Sequence, residues 1–321
     1  MGYFTRRSFV KVGSLSTFGF LGLGDALRMK AQSPAPARRD VSIIHIWLTG
    51  GVSQLDTWDP KPEADSRFRS PFDVIETKAR GMRISAELPK TAAQADKFVI
   101  LRSVTHKQAA HEAAKSMVQS GHNPLPTIQF PAMQTVIGKE LGKRSDLPPV
   151  ISVPGATGSW DKAGFLGTQY NPFDVGSPNT ENYKVRDLDL PMGVDWSRMD
   201  RRQSLLALVD EKFKRLDTSG ILENMDAYYK MAFQLMHSEA AKKAFRIEEE
   251  PEALRDKYGR TSLGQGSLLA RRLIEGGARF VTVSSGNWDH HRDIFPALKN
   301  DFLPELDRAY STLLEDLHQR G

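Results

Sequence analysis

This sequence predicts an α/β fold, a mainly parallel sheet flanked by helices, on three observations. Val41–Leu48 (VSIIHIWL) is an almost unbroken apolar run, as expected of a strand covered on both faces. Arg279–Ser284 (RFVTVS) is rich in β-branched residues and reads as a second short buried strand. Helical patterns closed by glycine stand between and beyond such runs, so strands and helices alternate along the chain.

The 321 residues are ample for a large core. There is no cysteine, which excludes disulfides, thiolate metal sites and a cysteine nucleophile. The formal charge of +5 is concentrated at the start. Arg6, Arg7, Lys11, Arg28 and Lys30 against Asp25 give +4 within residues 1–37, and the remainder is nearly neutral. No basic stripe with interleaved aromatics is present, so nucleic acid is not an expected partner.

Thr5–Lys11 (TRRSFVK) is a twin-arginine pattern, followed by uncharged residues from Val12 to Gly24. That run is too short to span a bilayer comfortably and fits the apolar core of a twin-arginine signal. Ala35-Pro36-Ala37, or a point near Ala31, offers the cleavage site. Residues 1–37 are therefore expected to be a signal peptide read by the twin-arginine export machinery. The mature domain, 38–321, is expected in the periplasm or cell envelope without a stable membrane span.

The first strand runs into Thr49–Pro60 (TGGVSQLDTWDP). Gly50 and Gly51 let backbone N–H groups approach a ligand closely. With Ser53 they are candidate substrate contacts, and Asp56 and Asp59 are candidate ligands; a plain turn ending at Pro60 is the alternative. Residues 61–90 read as surface loop with short pieces of structure. Phe98–Val104 (FVILRSV) reads as a further strand, leading to an alanine-rich helix over Gln108–Gln119 closed by Gly121. His111 and Lys115, four apart, share one face of its early turns. Phe130–Leu141 reads as a helix ended by Gly142, and Pro148–Val153 as a strand. Residues 154–196, rich in Gly, Pro, Asn and Asp, suggest functional loops or a lid. Asp200–Leu216 and Ile221–His237 form a helical insertion at about 197–245. Ser262–Glu275 is a helix stopped by Gly276-Gly277. Phe302, Leu306, Tyr310, Leu313 and Leu317 recur at helical spacing to the end of the chain. With no strand after it, the sheet reads as C-terminally incomplete.

Beyond Ser284 the chain continues Ser-Gly-Asn-Trp-Asp-His-His, to His291. Ligands of open α/β sheets bind where strands give way to such loops. Asp289, His290 and His291 offer the oxygen and nitrogen donors that divalent ions accept. Zinc, manganese, calcium and magnesium are the candidates, and a solvated polar loop is the alternative.

The twin-arginine start, Leu48–Pro62 (LTGGVSQLDTWDPKP), Ala163–Gly167 (AGFLG) and Trp288–His291 (WDHH) together resemble an exported bacterial family, domain of unknown function 1501. The DTWDPKP form resembles its planctomycete-type members. The resemblance implies the alkaline phosphatase and sulfatase superfamily, with its parallel α/β sheet, divalent metals and a nucleophile near a strand end. Asp289-His-His291 followed by Leu306-Asp-Arg-Ala309 is similar to the alkaline phosphatase segment in which an Asp and a His bind metal. This implies metal ligation by Asp289 and His291, with His290 as the alternate. His111–Gly121 resembles the sulfatase signature Cys-x-Pro-Ser-Arg-x-x-Leu-x-Thr-Gly. In that register His111 stands at the nucleophile, Lys115 at the arginine and Ser120-Gly121 at Thr-Gly. A formylglycine cannot be made from histidine, which is competent instead as nucleophile, base or ligand. The function expected is metal-dependent hydrolysis of phosphate or sulfate esters, of a small anionic molecule or a glycan. The alternatives are a non-catalytic envelope binding protein on the same fold, and an inactive fragment.

Overall fold

The computed structural model describes residues 41–154, 158–185, 188, 195–202, 204–205 and 231–321. The signal read over 1–37 and much of the helical insertion lie outside the described residues. The insertion's described parts are helical at 196–202, 204–205, 231–237 and 239–245.

Residues Ser42–Gly321 form one compact α/β unit. Its elements in order are strands β1 (Ile43–Leu48), β2 (Val74–Glu76) and β3 (Arg83–Ser85), then helices α1 (Pro89–Ala92), α2 (His111–Ser120) and α3 (Met133–Leu141). Strands β4 (Val150–Val153) and β5 (Phe173–Asp174) follow, separated by three short 3-10 turns between Ser159 and Tyr170. Helices α4 (Glu239–Phe245), α5 (Glu252–Tyr258) and α6 (Ser262–Glu275) lead to strand β6 (Phe280–Ser285). Helix α7 (Ile294–Ala297) passes through a π-helical turn, Leu298–Phe302, into helix α8 (Leu303–Arg320).

The main sheet has the order β1-β6-β4-β5, and all its pairings are parallel. Its two faces differ. Ile44, Ile46, Val281, Val283, Ile151 and Val153 lie on one face by register, and α6 packs there so closely that a Cβ on Gly266 would sit 3.0 Å from Val283. On the other face α3 covers Val150, and a Cβ on Gly138 would overlap its side chain. Leu268, Leu269 and Leu273 of α6 are fully buried, each worth roughly 1.5–3 kcal/mol. Thr261 caps α6, its hydroxyl accepting from the Gly264 N–H at 3.1 Å. Helices on both faces are what buried apolar parallel strands require.

Phe98–Val104, expected as a strand, is not one. Phe98 packs against Tyr310 of α8, with ring centroids 5.9 Å apart, and Ile100 leans on the core. Val99, Leu101 and Val104 are exposed. Arg102 anchors the segment by donating to the carbonyls of Trp58 and Arg83, both at 2.9 Å. The segment is held by side chains at its ends rather than by a β-ladder. Residues 61–90 contain a small antiparallel pair, β2 with β3.

Candidate functional site

The loops after β1 and β6 meet because the strands are neighbours. The N–H of Thr49 donates to the carbonyl of Ser285 at 2.8 Å, and that of Trp288 to Thr49 at 3.1 Å. The ladder thus continues past both strand ends. Trp288 is buried, donates its Nε1–H to Ser285 Oγ at 3.1 Å and packs edge-on against Phe302. This fixed tryptophan presents the next residue, Asp289. Gly50 lies directly against it with φ +120°, and a Cβ there would stand 2.6 Å from the Asp289 nitrogen. Gly50 is therefore required twice, for its left-handed backbone and for the close approach.

Asp289 gathers two histidines from distant parts of the chain. His111, the first residue of α2, places Nε2 3.0 Å from Asp289 Oδ2. His291 places Nε2 3.0 Å from Oδ1. All three side chains are partly or largely exposed. The His291 hydrogen bond, with the charges of His291 and His111, holds the Asp289 carboxyl below its ordinary value. One turn along α2, Lys115 pairs with Glu112 at 2.8 Å and lies 5.6 Å over the ring of Trp160.

The donor set of one carboxylate and two imidazoles suits zinc and related divalent ions. As arranged, the Nε2 of each imidazole is spent on a different oxygen of the carboxylate. Accordingly, no group of three His, Asp or Glu among the described residues is disposed around a common point for an ion. Binding one would require the side chains to turn from each other towards it.

The other expected site residues lie as follows. His290 packs edge-on against Phe302, 4.6 Å between centroids, with its Nδ1 buried and without a hydrogen bond. Asp56 is buried and accepts the Ser70 hydroxyl at 2.7 Å, which fits a turn anchor. Asp59 is taken by Lys61 at 2.6 Å and Arg102 at 3.5 Å. Ser53 gives its carbonyl to the Thr57 hydroxyl at 2.7 Å. Gly51, φ +121°, has open space around it. The structure therefore brings together Gly50, His111, Asp289 and His291, with Lys115 a turn away.

Sequence reasoning did not single out Trp160. Its ring lies against Gly158, where any side chain would overlap it, and 5.7 Å from the ring of Trp47 on β1. The glycine two residues before a tryptophan in a loop was the available signal. Nor did it foresee the polar face of the sheet, where Thr282 donates to Gln134 of α3 at 2.6 Å. Gln134 in turn donates to the Asp161 carbonyl at 2.9 Å, tying the loop before β5 to β6.

No curated protein and no solved structure matches the chain. Residues 40–321 match the family described as Protein of unknown function (DUF1501). The match covers most of the sequence, and the chain belongs to that family.

Proposed function

We propose that this member of the family is an exported metal-dependent hydrolase of phosphate or sulfate esters, centred on His111, Asp289 and His291. One observation carries the reading: a carboxylate beyond a parallel strand holds two histidines, one of them 178 positions away, beside a sheltered lysine. Kinship with alkaline phosphatases and sulfatases is part of the proposal, as is the planctomycete type. It is supported by the Asp-His-His run after a strand and the His111–Gly121 signature on a glycine-closed helix. The twin-arginine pattern supports export to the periplasm or envelope. No helix among the described residues is long and apolar enough to cross a membrane.

Asp289 and His291 would hold the divalent ion, which would polarise the ester oxygen and stabilise the charge that develops on it. Asp289 orients the His111 imidazole through Nε2, leaving Nδ1 for acid–base work. There His111 takes a proton from the attacking water as the water oxygen bonds to phosphorus or sulfur. The ester oxygen leaves with its bonding electrons and is then protonated. Lys115 supplies positive charge for the anion. The test is metal analysis of the purified full chain, followed by aryl phosphate and aryl sulfate turnover before and after chelation. Asp289→Ala should abolish metal retention and turnover together; turnover unchanged by chelation and by this substitution would refute the proposal.

Anion binding without turnover is the second reading. It is favoured by the histidine at the nucleophile position, whose Nε2 is already engaged. Tight sulfate or phosphate binding with no hydrolysis under any divalent ion would select it.

A further inference from the structure

Helix α2 carries His111 into the cluster just described, and its next residues open onto a separate cleft of about 380 Å³. That volume is in the range of small-molecule sites, roughly 300–1,000 Å³. Its walls include Glu112 and Ser116 of α2, Leu125, Ile128, Phe130 and Trp160. The rings are held in place from behind. Trp160 rests on Gly158 and beside Trp47, and Lys115 caps it. Phe130 stacks on His122 with centroids 4.2 Å apart and planes 12° from parallel, and Phe165 meets it edge-on.

The Ala163–Gly167 motif finds its role here. Gly164, φ +50°, lies so close to the chain at Gln129 and Phe130 that any side chain would overlap its backbone. The Phe165 N–H donates to the Gln129 carbonyl at 3.1 Å, and Ala132 donates to Lys162 at 3.0 Å. The motif thus clamps the aromatic wall of the cleft. It leaves Phe165 66% exposed, and Leu125 and Ile128 nearly half exposed. Rigid rings and aliphatic groups kept open to water beside a charged cluster are a binding surface rather than a core.

We infer that this cleft is a saccharide subsite, seating a sugar ring of the substrate while its anionic ester group reaches the His111–Asp289–His291 cluster. Sugar rings carry C–H faces that pack on aromatic walls and hydroxyls that need polar partners at the rim. Glu112 offers a carboxylate 70% exposed, one oxygen of which holds Lys115, and Ser116 offers a hydroxyl with no hydrogen bond among the described residues. An aryl group would satisfy the rings but strip water from Glu112 and Ser116 without replacing its hydrogen bonds. The assignment of the anionic end rests on the proposed function; the sugar-binding cleft itself does not.

The experiment uses the full chain and calorimetric titration with cellobiose, lactose and maltose, and separately with inorganic sulfate and phosphate. At least one disaccharide should bind with a Kd on the order of 1 mM. Ala113→Phe, which fills the cleft from the helix surface, should weaken that binding at least tenfold. Trp160→Phe should weaken it less. Absence of binding by all three sugars, or binding indifferent to Ala113→Phe, overturns the subsite. Sugar binding lost in Ala113→Phe while neither inorganic anion binds would uphold the subsite and count against the hydrolase reading instead.

Discussion

Arg271 and Asp289 each gather several partners around one ionised group. Arg271 is fully buried and meets Glu275 at 2.7 Å, Glu250 at 2.9 Å and Asp316 at 3.1 Å. Only the Glu275 contact is an aligned hydrogen bond; Nε and Nη2 meet their carboxylates at ion-pair distance without one. The carboxylates are in turn held by Arg272, Arg320 and the Tyr258 hydroxyl. Asp289 has two histidines, both substantially exposed, and a third side open to solvent. The buried cluster ties α5, α6 and α8 together and leaves no charge for a ligand. The exposed one links α2 to the end of β6 through groups that a ligand or ion can compete for. Enclosure of the Arg271 charges by partners on three elements fits a structural cluster, and on the proposed reading the open side of Asp289 is where an ion or anion would bind.

Arg271→Ala breaks this contrast most severely. It removes the buried guanidinium that Glu250, Glu275 and Asp316 share, leaving Arg272 and Arg320 to them, and should cost about 3–5 kcal/mol. Urea unfolding would show it as a large fall in midpoint. A loss under about 1 kcal/mol would mean that the cluster is as replaceable as a surface pair.

Acid sharpens the comparison next. Burial alone pushes the His45 imidazole down to about 4 from its ordinary 6.5. The unfolded chain therefore binds the proton first. Stability from this group is complete above pH 6.5 and is lost as pH falls towards 4, to an extent of roughly 3 kcal/mol. Burial opposes ionisation of Glu250 and Asp316, but Arg271 with Arg272, and Arg320 with Tyr258, more than offset it and hold both carboxyls low. Their contribution is present above the ordinary carboxylate range and is lost only as pH falls through their lowered values. Unfolding free energy measured against pH should thus fall in two stages. His45→Phe should flatten the upper stage alone; a profile unchanged by that substitution would place the upper titration elsewhere.

The residues explain what the sequence could and could not disclose. β1, β4, β6 and α6 were legible because their apolar periodicity is local and their burial is what that periodicity encodes. Phe98–Val104 has the same periodicity but no ladder, because pairing is decided by distant neighbours; its ends are held instead by Tyr310, Trp58 and Arg83. Asp289 and His291 were legible as a polar run after a strand, and His111 as a helix-start residue. Their meeting was not, since it depends on β6 lying beside β1 and on α2 returning to that edge. Asp56 shows the converse: a carboxylate in a glycine-rich loop reads as a ligand, but the fold buries it under Ser70.

Gly50→Ala tests whether the two strand-end loops act as one unit. A Cβ at φ +120° and 2.6 Å from the Asp289 nitrogen must displace the loop that carries the carboxylate. The expected cost in stability is more than about 1 kcal/mol. It should come with loss of turnover or anion binding beyond what the stability change explains. The same substitution at Gly51, strained but in open space, should lower stability and spare binding. Equal binding by both variants would separate the glycine loop from the site.

Asp289→Asn should have the smallest effect on stability, leaving the urea midpoint where it is. The carboxylate is exposed, its partners are exposed, and water replaces what the histidines lose. The same substitution removes the charge that orients both imidazoles and would help to hold an ion. Binding of inorganic sulfate or phosphate in the presence of zinc or manganese should therefore collapse while the urea midpoint stays in place. That dissociation is not expected at Arg271, where removing the charge lowers the midpoint itself. A variant at 289 that unfolded as readily as one at 271 would make the exposed cluster another structural clamp. One that unfolded normally and still bound anion would leave His111 and Lys115, rather than Asp289, at the centre of recognition.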